Sequence, residues 1–391
     1  MAGMVLAGFL SCSKKDAPAA ASGPASLQGS VQPSGNTGLP VTGAKSSHKD
    51  SGTAPIKIAF IIYSWTDDQG QYIQQYGKYL SDNFNIELEY VSAENSAEET
   101  IDTVESLCSK GVDGIILANT KGFQSWAAIC EENKVYYSIM LGQLDDADDR
   151  AFADTCKYFQ GSLGNYDYSW VGEIYAKHTL DKGYKTILIA GASPGMQKQT
   201  DQMIAGYTEA LDRAGLKYDT VRAAFNQLFT AISARLAGKT YDIVYCPISM
   251  MNFAVSNIYA NNLVGKTKTM GHGTSEDLQD AMDAGVISMF SDNFTTDVGV
   301  NVAFIINAVE GNKYKDWPTD RFAFIAAPTF AIQNEDDYAV YTKYVRNYES
   351  NPFLCSADKV RSMILSYNGD TSFGAIKDYV ETMSLDKLKD Q

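Results

Sequence analysis

Histidine is scarce in this 391-residue chain, which contains only three. His48 lies in a stretch dominated by Ser, Ala, Gly, Pro and Thr, and His178 falls inside a predicted helix. His272 is therefore the one histidine that follows a predicted strand, where a general base would be useful. An enzyme that depends on histidine would have to be built around His272.

Cysteine pairs and long apolar runs are also missing. After Cys12 there are five cysteines, an odd number, and no two of them form a C-x-x-C pair: Cys108, Cys130, Cys156, Cys246 and Cys355. This usage indicates neither a disulfide framework nor a zinc site. No apolar run approaches the length that a membrane-spanning helix needs, so no such helix is predicted.

Positive charge is in short supply. The chain has 32 Lys and Arg against 47 Asp and Glu, a formal net charge of −15. Residues 13–54 carry a net +2, so the remainder carries about −17. A body this acidic lacks the basic surface that nucleic-acid phosphates require, which excludes nucleic acid as a partner. Apolar residues make up 45% of the chain, enough for a globular core.

The N-terminal region differs from the rest. Residues 1–11 are small and apolar and precede Cys12, while residues 13–54 contain no Phe, Tyr, Trp or Ile. Such a segment buries too little apolar surface to fold, which predicts a disordered tether over 13–54. The order resembles the signal peptide and lipobox of a bacterial lipoprotein, over residues 1–12, with Cys12 lipidated. Phe9 stands where leucine is usual, and no basic residue precedes it. The alternative is a disordered terminus with an incidental cysteine.

Strand and helix patterns alternate from Pro55 to about Phe294, in two rounds. Short continuous apolar runs, typical of strands buried on both faces, predict most of the strands. The pattern predicts an α/β fold with two open, mostly parallel sheets and helices on both faces. The predicted strands are Ile56–Ile62, Ile86–Val91, Val112–Ala118, Val135–Leu141, Thr186–Ala190, Asp219–Ala224, Ile243–Cys246, Lys268–Met270 and Val286–Phe290.

Three motifs could indicate an enzyme or a cofactor. Residues 191–195 match G-x-S-x-G with Ser193 as the nucleophile, but Pro194 removes an N–H that the oxyanion hole of such an elbow uses. The alternative is an ordinary glycine-rich turn. Gly271-His-Gly273 starts a dinucleotide fingerprint, yet Glu276 occupies the third glycine position. The acidic run near Asp145 lacks calcium-loop spacing. We therefore expect no cofactor and no metal.

The order of local patterns resembles the type I periplasmic binding proteins of the ribose- and galactose-binding group, the solute receptors of ABC importers. The resemblance covers about Pro55 to Phe330. It rests on IKIAFII, KGVDGIILAN, VYYSIMLGQLD, DYSWVGEIYAKHTL, KTILIAGASPG, IAGYTEAL and AMDAGVISMF…DVGVNVAFIINAVEGN, in family order.

The resemblance implies two Rossmann-like lobes joined by a three-strand hinge. Lobe one would comprise 55–163 and 292–325, and lobe two 164–291 and 326–391, including a C-terminal extension. It also implies a monomeric, extracytoplasmic, non-enzymatic receptor, anchored to a bacterial membrane and partnered by an ABC permease. Helices are predicted in the extension over Asp336–Tyr348 and Ala375–Lys389.

Ligands of such sheets bind beyond the carboxyl ends of the strands, so the loops there supply the candidate site. Aromatic rings would cover the faces of a solute and polar side chains would bind its hydroxyls. Several of these residues could instead cap the core or a helix N-terminus. The candidates are Tyr63, Trp65, Asp67, Asn119, Gln143, Asp145, Asp201, Phe225, Ser249, His272, Asp292 and Asn293.

The chain departs from the family's sugar binders in lobe two. Asp201 stands where an Arg is usual, Gly271-His272-Gly273 where an Asp is usual, and Ile248-Ser249 where an Asn-Asp pair is usual. Because the loops carry almost no Lys or Arg, the sequence predicts a neutral or cationic ligand, such as a sugar or a similar solute. Two alternatives stay open: a ligand sensor of the same fold that feeds a membrane signalling protein, and a serine hydrolase using Ser193.

Overall fold

The structure is a computed structural model that describes residues 54–93, 96–164, 168–248, 250–273, 278–293, 298–319, 322–346 and 354–389. The expected signal peptide and lipobox, including Cys12, lie outside these residues, and so does nearly all of the expected tether. So does Ser249.

The first sheet contains six parallel strands in the order β11-β5-β4-β3-β1-β2. Its interior strand β1, between β3 and β2, is buried from Ile58 to Ile62, because helices cover both of its faces. The strands are β1 (Ile56–Ile62), β2 (Ile86–Ser92), β3 (Gly114–Leu117), β4 (Tyr136–Ile139), β5 (Phe159–Gly164) and β11 (Phe324–Ala326).

The second sheet also has six strands, in the order β12-β10-β9-β8-β6-β7. All of its pairs are parallel except that of the edge strand β12 with β10. The strands are β6 (Ile187–Ala192), β7 (Tyr218–Ala223), β8 (Ile243–Cys246), β9 (Lys268–His272), β10 (Ile287–Asn293) and β12 (Thr329–Ile332).

Helices alternate with the strands, and their ends follow the expected signals. In α2 the side chain of Ser96 accepts a hydrogen bond from the Glu99 N–H, and Gly111 ends the helix with φ +75°. In the described part of the chain, no helix is both long and apolar enough to cross a membrane. The helices are α1 (Asp68–Asn83), α2 (Ala97–Lys110), α3 (Phe123–Asn133), α4 (Ala147–Ala153), α5 (Ser169–Asp181), α6 (Lys198–Arg213), α7 (Phe225–Gly238), α8 (Met251–Ala260), α9 (Leu278–Asp283), α10 (Val298–Val309), α11 (Glu335–Tyr341, continued by a π-helical turn over Thr342–Arg346), α12 (Ala357–Met363), α13 (Phe373–Glu381) and α14 (Leu385–Lys389).

Each sheet with its helices forms a lobe, and between β1 and β12 the chain passes between the lobes three times. The passages follow β5, β10 and β11. After β10, helix α10 returns to lobe one, where Asn301 donates hydrogen bonds to the Ile139 carbonyl (3.0 Å) and to Ser138. Only two residues separate β11 from β12, so the third passage is short.

The C-terminal extension differs from the sequence expectation, which assigned all of 326–391 to lobe two. Helix α12 packs on α1 and α10, and α13 packs on β11, all of them in lobe one. The reason is specific pairing: the Met363 carbonyl accepts hydrogen bonds from Asn307 of α10 (3.0 Å) and from Tyr314. In addition, Asp292 and Asn293 end strand β10 of lobe two rather than beginning lobe one.

Glycines allow α5 and α6 to pack unusually closely. A Cβ atom added to Gly172 would lie 2.1 Å from the Met203 carbonyl oxygen, and one added to Gly206 would lie 1.9 Å from the Ser169 carbonyl oxygen. Both clashes involve backbone, which cannot rotate away. The two helices must therefore separate if either glycine acquires a side chain.

We predict that Gly172→Ala destabilises lobe two by about 1–3 kcal/mol, the usual effect of overpacking. The measurement is the urea-unfolding midpoint of the purified protein. Gly238→Ala in α7 is the matched control, because nothing lies within 4 Å of the added Cβ. A Gly172→Ala midpoint equal to that of the control would contradict the close packing.

Candidate functional site

The candidate residues lie where the strands of each lobe end. In lobe one, Tyr63, Trp65 and Asp67 follow β1, Asn119 follows β3, and Gln143 and Asp145 follow β4. In lobe two, Asp201 lies in the first turn of α6, Phe225 begins α7, His272 ends β9, and Asp292 and Asn293 end β10. Parallel pairing brings these ends to one edge of each sheet.

An ion pair joins the two edges directly. Lys198 Nζ at the start of α6 lies 2.6 Å from Asp145 Oδ2 in the loop after β4. Gln143 supports the carboxylate from its own lobe, because its Nε2 donates to Asp145 Oδ1 at 3.0 Å. The carboxyl edge of lobe one therefore approaches the carboxyl edge of lobe two, as a ligand-enclosing cleft requires.

The loop after β1 presents one aromatic ring and anchors another. Tyr63 is 60% exposed, and its hydroxyl bonds Asp67; partial desolvation and that carboxylate raise the pKa of Tyr63. Asp67 is also the N-cap of α1, accepting from the Gly70 N–H at 2.8 Å. Trp65 packs edge-on against Tyr90 at 5.0 Å between ring centroids, with its indole nitrogen buried. Tyr63 is thus the ring available to a ligand, and Trp65 supports the loop.

Asn119 is engaged within its own lobe. Its Nδ2 donates to Thr100 Oγ1 of α2 at 2.7 Å, and its Oδ1 accepts from the Lys121 N–H at 3.0 Å. These bonds fix the loop after β3 against α2. Asn119 shapes the edge of lobe one, and it would have to exchange a bond to contact a ligand.

Lobe two contains a cation that sequence reasoning missed. Arg222 of β7 forms a hydrogen-bonded ion pair with Asp201, which also accepts from the Gly195 N–H at 2.8 Å. Burial acts to raise the pKa of Asp201, but the guanidinium and the N–H outweigh it and lower that pKa. A positive charge on the neighbouring strand therefore lies beside Asp201, although the helix itself lacks the Arg usual in the family. A basic residue inside a predicted strand was the available signal.

His272 is buried, and hydrogen bonds hold its ring in place. Its Nδ1 lies 2.7 Å from Ser291 Oγ, which also bonds the Tyr175 hydroxyl at 2.6 Å, and its ring meets Tyr168 edge-on at 5.9 Å. Burial lowers the pKa of His272 to about 4, against a smaller opposing effect of Asp292. The imidazole is therefore neutral at neutral pH. It is a buried polar group at the carboxyl edge of lobe two.

The end of β10 is connected to the extension. Asp292 accepts a hydrogen bond from the Tyr341 hydroxyl of α11, and Asn293 Oδ1 accepts from Thr329 Oγ1 of β12 at 3.2 Å. Tyr341 was not anticipated, because the order of the chain gives no sign that the extension reaches this strand.

The Ser193 motif does not assemble a catalytic triad. The Ser193 N–H donates to the Ala223 carbonyl at 2.9 Å, a contact of the turn between neighbouring strands. The two described histidines bond elsewhere: His272 to Ser291, and His178 to Ser288 (2.8 Å) and Gln333. The structure supports the glycine-turn interpretation over the hydrolase.

The described residues contain neither a metal site nor a disulfide bond. No group of His, Cys, Asp and Glu there could hold a metal ion. The acidic run near Asp145 is the start of α4, with Asp146 as an N-cap that accepts from the Asp148 N–H at 2.7 Å. The five described cysteines are free thiols, four of them buried.

Neither a protein-family model nor a curated protein matches this sequence. Solved structures do match. A solute-binding protein of an Actinobacillus succinogenes ABC transporter, with bound D-allose, aligns at a TM-score of 0.60 and 17% identity over 72% of this chain and 98% of its own. A periplasmic ribose ABC transporter protein of Conexibacter woesei aligns at 0.60 and 17% over 77% and 100%. An arabinose-transporter binding protein of Shewanella sp., bound to L-arabinofuranose, aligns at 0.60 and 19% over 73% and 94%.

The chain has the type I periplasmic binding protein fold. Its two six-stranded lobes and three passages agree with the expected fold class. At 17–19% identity the comparison concerns the fold alone. These neighbours align over nearly their whole length yet over only 72–77% of this chain, so the chain carries additional residues.

We predict that His272 makes the protein less stable as pH falls from about 6.5 to about 4. The unfolded histidine takes up a proton near pH 6.5, whereas the buried one does so only near pH 4. Acidification in this window therefore favours the unfolded chain, by up to about 1.4 kcal/mol per pH unit.

The measurement is the free energy of unfolding in urea across this window for the wild type and for His272→Gln. In this window, the free energy of unfolding of the variant should depend less steeply on pH, by the contribution of up to one bound proton. This difference in slope is expected whatever the absolute stability of the variant. Identical slopes in the two proteins would show that His272 is not the buried neutral group described here.

Proposed function

We propose that this chain is an extracytoplasmic solute-binding lipoprotein that captures a small neutral or cationic solute between its lobes and delivers it to an ABC importer. A sugar or a similar polyol is the favoured ligand. The observation that carries the proposal is the approach of the two carboxyl edges at Asp145 and Lys198, 2.6 Å apart. In a hinged two-lobe fold, this is where a ligand is enclosed.

Exposed aromatic rings support a ligand with weakly apolar faces. Tyr63 at the edge of lobe one is 60% exposed, and Phe225 at the edge of lobe two is 41% exposed. Their position at the carboxyl ends of the strands, where ligands of such sheets bind, supports a binding role for these two rings. The ring faces of a sugar are suited to such contacts.

The charge balance at the edges supports a solute without negative charge. The two cations with described partners there are already compensated, Lys198 by Asp145 and Arg222 by Asp201. A phosphate or carboxylate ligand would have to displace a carboxylate to reach either one. Asp67 and Asp292 add further negative charge and hydrogen-bond acceptors, which suit hydroxyl or ammonium donors.

The structural neighbours favour the same ligand class. One is described with bound D-allose and another with L-arabinofuranose. Those ligands belong to those proteins. They support a cleft of monosaccharide size in a chain of the same fold.

We predict that Tyr63→Ala and Phe225→Ala each weaken ligand binding at least tenfold, because each removes an exposed ring from the cleft edge. The ligand is first found by thermal shift with sugars, polyols, nucleosides, amino acids, sugar phosphates and dicarboxylates, since binding to the folded state raises the melting temperature. Affinities are then measured by calorimetry.

Tyr259→Ala is the matched control. Tyr259 is 43% exposed but lies near the last turn of α8, away from the carboxyl edge, so its loss should leave affinity unchanged. Stabilisation by phosphorylated or dicarboxylate compounds alone would overturn the proposed ligand class. Unchanged affinity in both ring variants would remove the cleft edge from the site.

We predict that Cys12 carries the lipid anchor. Expressed in a bacterial host, the full chain should partition into the detergent phase of Triton X-114, and Cys12→Ala should move it to the aqueous phase. Mass spectrometry of the N-terminal peptide should find a diacylglyceryl thioether on Cys12. A mature protein that retains residues 1–11 with an unmodified thiol would contradict lipidation.

A further inference from the structure

The C-terminal extension is anchored on lobe two by α11 and α14. Two rings of α11, Tyr338 and Tyr341, pack on Phe290 of β10, with ring centroids 6.2 and 5.3 Å away. Helix α14 then packs on α11, where Lys389 Nζ lies 2.6 Å from Asp337 Oδ1. Asp337 is buried and also accepts from the Gln333 N–H at 3.1 Å, so the ion pair reaches the end of β12.

The same extension is anchored on lobe one by α12 and α13. At the start of α12, the Cys355 carbonyl accepts from the Tyr76 hydroxyl of α1 at 2.6 Å, and the Ala357 N–H donates to the Tyr79 hydroxyl at 2.8 Å. At the start of α13, the Phe373 N–H donates to Asp316 at 2.8 Å.

Helix α13 also binds the free edge of β11, the strand that leads into the third passage. Glu381 Oε1 accepts from the Ala326 N–H at 3.0 Å, and Lys377 Nζ donates to the Phe324 carbonyl at 3.3 Å. These side chains satisfy backbone groups that an edge strand otherwise leaves unpaired.

The extension therefore crosses between the lobes beside the hinge. Three residues, 382–384, connect α13 on lobe one to α14 on lobe two. Three residues span roughly 10–11 Å at full extension, so the two anchors cannot move far apart. The two-residue passage joins β11, on which α13 packs, to β12, on which α11 packs.

The extension also reaches the candidate site. The Tyr341 hydroxyl of α11 donates to Asp292 at the end of β10, and Asp292 accepts from the Asn293 N–H at 2.9 Å through its other oxygen. A shift of α11 would therefore move the Asp292 carboxylate at the edge of the cleft.

We propose that helices α11 to α14 form a strap that restrains the hinge between the lobes and transmits its position to the cleft through Tyr341 and Asp292. In the proposed function, the strap would limit how far the cleft between the lobes opens. Because the strap depends on the fold and not on the identity of the ligand, it can be tested in the ligand-free protein.

The test is hydrogen–deuterium exchange of the ligand-free protein. We expect a chain ending at Ser384, which lacks α14, to exchange the amides of residues 322–332 at least tenfold faster than the full chain, because the hinge strands open more often. Peptides from α2, far along lobe one, should be unchanged. Lys389→Ala, which removes only the ion pair to Asp337, should accelerate the same peptides by about threefold, equivalent to about 0.7 kcal/mol.

Lys387→Ala is the matched control, since Lys387 is exposed on the same helix and its side chain is not needed for the strap. If the truncated chain does not fold, Lys389→Ala decides the question. Exchange in 322–332 that stays at the wild-type rate in Lys389→Ala, or that rises equally in Lys387→Ala, would overturn the strap. Failure of solute binding would leave this result unaffected.

Discussion

Parallel strand pairing within two separate sheets is the constraint on which the rest of the structure depends. It gathers six strand ends in lobe one and five in lobe two at one edge of each sheet, and the three passages of the chain bring one edge opposite the other. Antiparallel pairing would scatter the same loops over both ends of each sheet. The one exception, β12, runs antiparallel beside β10 and carries the chain back from lobe one into the extension.

The cleft edges are built from side chains that are already bonded to one another. Asp201 pairs with Arg222, Asp145 with Lys198, and His272 with Ser291. Such pairs hold side chains in fixed directions before a ligand arrives, which lowers the ordering cost of binding. They also neutralise Lys198 and Arg222, the two cations with described partners at these edges. In the proposed function, the exposed rings of Tyr63 and Phe225 would contact the apolar faces of the solute.

The sequence was most informative where local chemistry decides structure. The ends of Ile56–Ile62 and Ala97–Lys110 were predicted correctly, from a continuous apolar run and from a cap at each end of the helix. Strands β5, β11 and β12 were missed. The sequence FQGSLG of β5 has no continuous apolar run, and the three or four residues of β11 and β12 at a sheet edge carry too little pattern. The strand-end rule found the loops of the site. The ion pairs and the Tyr341–Asp292 contact join residues far apart in the chain, and only tertiary packing brings them together.

The most direct test of a neutral solute between the lobes is native mass spectrometry of the full chain after exposure to a mixture of sugars, sugar phosphates and dicarboxylates. The account predicts one adduct per chain with the mass of a neutral sugar or polyol, lost when Tyr63 and Phe225 are both replaced by Ala. An adduct with the mass of a phosphate or a dicarboxylate, or a neutral adduct that survives the double substitution, would contradict it.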